Sequence, residues 1–183
     1  MDMNKKGRGG EAIEAGGKKE MSLRDAILGI VYEILVIVLL CLAAYALIFG
    51  LLRLNDASMS PSVKDGDLVA YYRLDKKYAV QDPIVVRQDD GLAVRRVAAV
   101  AGDTVDFRDG MLVLNGIPQA ESYAFGKTEQ FKIGPQFPLT VPQGQVFVLA
   151  DAREKATDSR VYGCVPISKT YGTVVMVLRR RGI

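Results

Sequence analysis

The sequence predicts a mainly β domain preceded by one N-terminal transmembrane helix. A long uncharged apolar run lies near the N-terminus, as expected for a membrane-spanning helix. After it, short β-branched or aromatic runs alternate with turns that contain Gly, Asn or Asp. A chain of 183 residues has room for one domain with a buried core and an anchor.

The apolar run extends from Ile34 to Leu52 without a charged residue. As a helix it would be about 28 Å long, close to the roughly 30 Å hydrocarbon core of a bilayer. We predict an anchor helix over residues 22–53, with Ser22 as a suitable N-cap. A buried core helix is disfavoured because few core helices are apolar all round for so long. A cleaved signal peptide is disfavoured because its apolar region would span only about 7–15 residues.

Residues 1–21 are rich in glycine and charge, which predicts a disordered tail. Basic residues are more frequent before the apolar run than directly after it, where Arg53 and Lys64 follow. This bias places the N-terminus in the cytoplasm and the rest of a single-pass protein outside the cell membrane. The domain organisation predicted is a cytoplasmic tail at 1–21, an anchor at 22–53 and an extracytoplasmic β-rich domain at 54–183.

The runs after the anchor have strand length and strand composition. The predicted strands are Leu68–Tyr72, Ile84–Arg87, Leu92–Ala99, Thr104–Phe107, Met111–Leu114, Gln145–Leu149 and Thr173–Leu178. Asp109-Gly110 predicts a hairpin, and Asn115-Gly116 predicts a further turn. The segment Gln119–Leu139 shows no period and is predicted to be a long irregular excursion. These features predict a single β-rich domain with no internal repeat.

Composition excludes several kinds of site. With 0 histidines, the chain cannot hold a Ser-His-Asp or Cys-His triad or a His-ligated metal. Its 2 cysteines are too few for a zinc cluster, and a Cys41–Cys164 bridge is not expected. We therefore expect no metal and no cofactor. The net charge of +3 is too small to indicate a nucleic-acid partner.

Without histidine, a serine nucleophile needs another base, and lysine is the usual one because burial lowers its pKa. Ser58 lies six positions after Leu52, so extended chain keeps it within about 22 Å of the end of the apolar run. By itself, a Ser-Met-x-Pro motif is more typical of a turn before a strand. Further segments are needed to indicate a catalytic site.

Three segments occur in order: Ser58–Pro61, Val94–Asp103, and Asp151–Arg153 followed by Asp158–Arg160. In this arrangement the chain resembles the type I signal peptidases, membrane-bound Ser/Lys serine endopeptidases, and most closely their Gram-positive branch. The resemblance covers residues 22–183, including the closing Val177–Gly182. It implies a signal-peptidase-like β domain without a cofactor, membrane lipid around the anchor, and secretory precursor proteins as partners. Their signal peptides would bind as an extended strand, with small residues in shallow pockets.

The resemblance also implies residue roles. Ser58 matches the nucleophile, and its own backbone N–H would form part of the oxyanion hole. Met59 matches a residue that lines the pocket beside the nucleophile, and Pro61 fixes the turn. Further positions that match the site are Arg96, Gly102, Asp103, Asp158, Ser159 and Arg160.

Each of these further positions carries an implied role. Arg96 matches the basic residue after the general base, and Gly102 and Asp103 match the turn that follows that strand. In the family, the serine that matches Ser159 forms a hydrogen bond with the general-base lysine. The aspartate and arginine on either side of it pair to hold the loop.

The chain departs from the family pattern at the base itself. Arg95 stands where the family has lysine, and a guanidinium is not deprotonated in proteins. Arg95 is therefore able to orient Ser58 or bind an oxyanion, but not to take its proton. Ala150 and Ala152 replace a glycine and an asparagine. Asp56 stands where the family has Gly or Ser, and we hypothesise that it pairs with Arg95.

The sequence leaves more than one function open. The first is a signal peptidase that acts through Ser58 and is impaired by Arg95. The second is a non-catalytic homologue that acts as an assembly factor for surface, pilin-like proteins. A membrane-anchored β adaptor is the third and weakest reading. No lysine of residues 54–183 lies inside an apolar strand as Arg95 does, so the sequence offers no replacement base.

Overall fold

The protein is described by a computed structural model that covers residues 22–89, 91–154 and 156–179. The predicted disordered tail at 1–21 and the closing Arg180–Gly182 lie outside the described residues. Within the described residues, 37% are in strands and 21% in helices, which confirms the mainly β class. Among the described residues, those up to Cys41 and those from Leu42 onward form two compact units.

The first element is the helix α1, Leu23–Ile48. Its mean hydropathy reaches 2.8 over an 18-residue window, so it is long and apolar enough to cross a membrane. None of the residues that the structure describes in this helix is buried, which argues against a core helix.

The predicted end of the anchor helix is wrong. The helix stops at Ile48, and Phe49–Arg53 forms the strand β1, which pairs antiparallel with β2, Leu68–Tyr72. A continuous apolar run does not distinguish helix from strand, so the sequence could not show where one element ends. Gly50 suits the pairing, because a Cβ there would lie 2.1 Å from the Tyr71 ring.

Seven antiparallel strands form the larger sheet, in the order β1-β2-β11-β3-β4-β9-β10. Its further strands are β3 Pro83–Gln88, β4 Gly91–Val100, β9 Gln145–Leu149, β10 Val165–Pro166 and β11 Thr170–Leu178. A second sheet has the order β7-β6-β5-β8. Its strands are β5 Thr104–Arg108, β6 Met111–Leu114, β7 Ile117–Pro118 and β8 Leu139–Thr140. The short helix α2 is Ser159–Tyr162, and a 3₁₀ turn spans Ile167–Lys169.

The seven predicted strands are all present, with small differences at their ends. The predicted hairpin turn is confirmed, since Asp109 and Gly110 have φ of +52° and +75° between β5 and β6. Asn115 and Gly116 turn the chain again, at +53° and +82°. The two-residue strands β7, β8 and β10 are too short to show an alternating pattern, so the sequence did not reveal them.

Strand β4 positions the candidate site. It pairs with β3 on one side and with β9 on the other, and most of its residues are buried. Val94 and Val97 contact the core on either side of Arg95 and Arg96. The backbone of Arg95 is therefore held on both sides by apolar packing, worth about 1.5–3 kcal/mol for each fully buried valine.

Candidate active site

Ser58 lies in the turn that follows β1. The turn is closed by hydrogen bonds from Ser60 N to Ala57 O, at 3.0 Å, and from Val63 N to Met59 O, at 2.9 Å. Ser58 is 4% exposed, and its carbonyl accepts a hydrogen bond from Ala152 N at 2.8 Å. The first and third sequence segments therefore meet at this serine.

The Ser58 hydroxyl contacts both ionised neighbours that the sequence singled out. Its Oγ donates to Asp56 Oδ2 at 2.5 Å and accepts from Arg95 Nη1 at 2.6 Å. Arg95 Nη1 also lies 3.1 Å from Asp56 Oδ2, so the hypothesised ion pair between these two residues is present. The three side chains form one connected group with the hydroxyl in the middle.

Arg95 is 3% exposed, and its guanidinium is held by neutral acceptors as well as by the ion pair. Nε and Nη2 donate to the carbonyl of Thr157 at 3.2 and 3.1 Å, and Nη2 donates to Gln88 Oε1 at 3.2 Å. Nη1 also donates to Val94 O at 2.6 Å. The nitrogens of a guanidinium are donors only, so Arg95 donates to all of these acceptors and does not take a proton.

Asp56 is the one acidic side chain in this group, and 40% of it is exposed. Burial alone would raise the pKa of its carboxyl. The hydrogen bonds from Ser58 and the charge of Arg95 outweigh that effect and hold the pKa below its ordinary value of 3.8. Asp56 is therefore ionised at neutral pH.

The backbone N–H of Ser58, which the resemblance assigns to the oxyanion hole, has a partner in this structure. It donates to Asp56 Oδ1 at 2.8 Å. A carboxylate thus occupies the donor that would otherwise bind the developing oxyanion. Before an acyl transfer proceeds, Asp56 must release this N–H, or Arg95 must stabilise the oxyanion in its place.

Arg96 points away from this group and fixes the segment that follows β9. Its guanidinium forms a two-pronged contact with Asp151, Nε to Oδ1 at 2.8 Å and Nη2 to Oδ2 at 2.6 Å. It also stacks 4.2 Å from the centre of the Tyr123 ring. Burial and the neighbouring Glu121 carboxylate raise the pKa of the Tyr123 hydroxyl, so it stays protonated. Arg96 therefore supports the site from behind by holding two segments together.

The pairing expected of Asp158 and Arg160 is present. Both are buried, Arg160 Nη2 lies 2.9 Å from Asp158 Oδ2, and Asp158 caps α2 by accepting from Arg160 N at 3.1 Å. Ser159 differs from its implied role, since its Oγ accepts from Val148 N at 3.0 Å. The acceptor that Arg95 uses here is the carbonyl of Thr157, one residue before the pair.

Three other expected residues take structural positions. Met59 is fully buried with Leu54 and Val63 in the core and does not line either cavity beside Ser58, because it follows Ser58 on the inward side of the turn. Gly102, with φ of +94°, and Asp103 form the turn between β4 and β5. Gly102 and Asp103 form hydrogen bonds with nearby backbone groups, and Asp103 also with the Asn115 side chain. Neither residue forms a hydrogen bond with Ser58.

Two cavities meet at Ser58 and Asp56. The polar cavity has a volume of about 510 Å³ and includes Arg53, Gln88 and Arg95 in its wall. The apolar cavity has a volume of about 440 Å³. Its other wall residues are Ala57, Ser60, Pro61, Phe125, Ala152 and Glu154. Ser58 is thus reached from two sides, one of which is lined in part by small apolar side chains.

Sequence reasoning missed three contributors to this site. Thr157 acts through a backbone carbonyl, which no side-chain pattern reveals. Gln88 reaches Arg95 from the end of β3, and Phe125 pairs as an isolated parallel bridge with Ala152 from within the long excursion. The alanine at position 150, where the family has glycine, does not have a positive φ, so no strained backbone conformation excludes it.

Comparison with known proteins gives the family. The sequence pattern of the family described as signal peptidase, peptidase S26, matches residues 27–179. The chain belongs to this signal peptidase family. The match includes the Ser58 turn, strand β4 and the segment around Asp158, which are the three places that the structure brings together.

Individual signal peptidases are similar over much of the chain. Signal peptidase I of Bacillus licheniformis is 27% identical over 154 residues, covering 78% of this chain and 83% of the relative. Signal peptidase IB of Staphylococcus aureus is 30% identical over 141 residues, covering 66% and 73%. A thylakoidal processing peptidase of Arabidopsis thaliana is 31% identical over 136 residues, and this chain spans 39% of its length. A crystal structure of a signal peptidase I from Enterococcus faecalis has 28% identity and a TM-score of 0.48, covering 54% of this chain and 97% of that one.

Proposed function

We propose that this chain is a membrane-anchored serine endopeptidase of the signal peptidase I type that cleaves signal peptides from exported precursor proteins. The observation that carries the proposal is the position of the Ser58 hydroxyl. It lies between Asp56 Oδ2 at 2.5 Å and Arg95 Nη1 at 2.6 Å, where the two cavities meet. Nucleophilic attack by a hydroxyl requires an acceptor for its proton, and Asp56 Oδ2 lies in that position.

In the proposed reaction, Ser58 Oγ attacks the carbonyl carbon of the scissile peptide bond. The signal peptide becomes an ester on Ser58, and the mature protein leaves with its new amino group. Water then hydrolyses the ester and restores the hydroxyl. The apolar cavity beside Ser58 is walled in part by Ala57, Pro61 and Ala152, which suits a small side chain next to the cleaved bond.

We further propose that turnover is slow. Relatives with a lysine at position 95 would hold a neutral amine beside the serine, whereas the guanidinium of Arg95 stays charged. A lysine base at position 95 would typically contribute about 10²–10⁴-fold in rate, and the guanidinium does not provide that contribution. The occupied N–H of Ser58 adds a further barrier, since Asp56 competes with the oxyanion for that donor.

A second candidate is a non-catalytic homologue that binds surface, pilin-like precursors as an assembly factor. The occupied oxyanion donor and the charged Arg95 favour it, because both oppose catalysis while leaving the cavities open. The two candidates differ in one observable. A peptidase converts a bound precursor into a shorter product, and an assembly factor releases it intact.

We also propose the orientation that the basic N-terminal residues favour. The tail at 1–21 lies in the cytoplasm, α1 spans the membrane and residues 54–183 lie outside. Externally added protease should then degrade the β domain in intact cells while an epitope placed before Ser22 survives. Protection of the β domain until the membrane is broken would overturn this orientation.

The proposed activity is tested with the full chain in lipid vesicles and a precursor that carries a signal peptide. We expect slow conversion to the mature length by the wild type and none by Ser58→Ala. The matched control is Ser168→Ala, an exposed serine of the 3₁₀ turn, which should cleave as the wild type does. Equal cleavage by Ser58→Ala would remove Ser58 from the mechanism. Binding without cleavage by every variant would favour the assembly factor.

A further inference from the structure

We propose that Asp56 is the general base of this site and that Arg95 supplies the positive charge, so that a Ser/Asp pair replaces the Ser/Lys pair. This inference rests on the proposed peptidase function. The geometry that carries it is the hydrogen bond from Ser58 Oγ to Asp56 Oδ2 at 2.5 Å. Asp56 is the acceptor of that hydroxyl proton in the structure.

The contacts of the hydroxyl leave no competing acceptor among the described residues. The other polar atom that hydrogen-bonds to Oγ is Arg95 Nη1, which is a donor only. Ser159, which the resemblance places beside the base, is bonded to Val148 N instead. The proton of Ser58 therefore has one place to go within the described site, and that place is Asp56.

The proposed step balances as follows. Ser58 Oγ forms a bond to the scissile carbonyl carbon while its proton passes to Asp56 Oδ2, and the carbonyl π electrons move to the oxygen. The tetrahedral species collapses with cleavage of the C–N bond, and Asp56 returns the proton to the leaving amine. In the second half, Asp56 takes a proton from water as that water attacks the ester. It then gives this proton to Ser58 Oγ as the ester bond breaks.

Protonation of Asp56 also frees the backbone N–H of Ser58, which the carboxylate occupies in the structure. An ionised carboxylate accepts hydrogen bonds about twice as strongly as a neutral group. When Asp56 gains the serine proton, its bond from Ser58 N–H weakens, and that donor becomes available as charge develops on the substrate. Arg95 keeps its charge throughout and lies beside Ser58 Oγ, where it stabilises the negative charge that this oxygen carries as its proton leaves.

The charged groups around Asp56 determine the pH range in which its carboxylate is ionised and able to accept a proton. Arg95 faces it from β4, and its charge favours the ionised carboxylate. Arg53 on β1 lies in the wall of the polar cavity, and Glu154 lies in the wall of the apolar cavity. The Ser58 bonds and Arg95 together keep the pKa of Asp56 below 3.8, so the base is ready at any pH above that value. A lysine base behaves in the opposite way, because it must lose a proton and works better as pH rises.

The experiment measures kcat/KM for precursor cleavage from pH 4.5 to 9, with the full chain in vesicles. We expect the wild type to keep its activity down to pH 5 and Asp56→Asn to lose at least about 100-fold. Asp65→Asn, an exposed aspartate of the same segment, is the control for loss of one negative charge and should match the wild type. The wild-type profile needs no variant, so it remains informative if Asp56→Asn does not fold.

The failures of the two proposals are distinguishable. Wild-type cleavage that depends on Ser58, together with wild-type rates for Asp56→Asn, would overturn Asp56 as the base while the peptidase function stands. A wild-type rate that falls steadily from pH 9 to pH 6 would do the same, because it indicates an amine as the base. Absence of cleavage by the wild type at every pH would overturn the peptidase function itself.

Discussion

Asp56 accepts hydrogen bonds from both the backbone N–H and the hydroxyl of Ser58, at 2.8 and 2.5 Å. The two residues are separated by Ala57 alone, and a short acidic side chain folds back onto the following turn easily. One local motif therefore holds both the hydroxyl and the backbone N–H of Ser58. Arg95 balances the carboxylate charge from the neighbouring strand.

The apolar cavity should contribute mainly to substrate affinity. Phe125 is 73% exposed and lies in the wall of that cavity, so it costs the fold little to truncate. We expect Phe125→Ala to raise KM for a precursor about fivefold, equivalent to roughly 1 kcal/mol of lost contact, with kcat nearly unchanged. Ile117→Ala, a similarly exposed apolar residue on β7, is the control in steady-state cleavage assays. A larger effect of the Ile117 variant would refute this assignment.

The buried Asp158–Arg160 pair should matter for stability far more than an exposed pair does. Arg160→Ala leaves a buried carboxylate without its partner, and we expect a loss of about 3–5 kcal/mol in the free energy of unfolding. Arg108→Ala removes the 67%-exposed partner of Asp106, and we expect less than about 1 kcal/mol. Urea unfolding followed by circular dichroism measures both variants. Equal losses would show that the segment behind the site does not depend on this pair.

The sequence predicted the fold well because strand and turn signals are local. Alternating or β-branched runs marked the long strands, and the positive φ of Asp109-Gly110 follows from residue types that tolerate it. The same signals failed at β1, where an apolar run passes from helix into strand without a change in composition. The local sequence does not show which strand a segment pairs with, and it is the pairing with β2 that makes Phe49–Arg53 a strand.

The candidate site was predicted in part. Ser58 and Arg95 were predicted because their positions match site residues of the signal peptidases, and the Asp56–Arg95 pair was predicted from their opposite charges. The two bonds between Asp56 and Ser58 depend on the exact turn, and the carbonyl of Thr157 carries no side-chain signal. The burial of Met59 likewise depends on which side of the turn faces the core.

Cys164 should be a slowly reacting thiol. Burial raises the pKa of its thiol above the ordinary value of 9.0, so the thiolate fraction at pH 8 is lower than for an exposed cysteine. Both cysteines are free. We expect alkylation of Cys164 by iodoacetamide, followed by mass spectrometry in the Cys41→Ala background, to accelerate as pH rises beyond 9. Fast modification at pH 7 would contradict the raised pKa of this half-buried thiol.

A change of base should move the pH optimum of the enzyme. Arg95→Lys alone places an ammonium beside the Asp56 carboxylate, which favours the charged lysine and gives it little tendency to accept a proton. In Asp56→Ser/Arg95→Lys that carboxylate is gone, and burial at position 95 favours the neutral amine. We therefore expect the double variant to cleave a precursor faster than Arg95→Lys. Its kcat/KM should also rise toward alkaline pH, whereas the wild type stays active in acid. Identical pH profiles for the wild type and the double variant would mean that neither position 56 nor position 95 provides the base, because the two chemistries have opposite pH dependence.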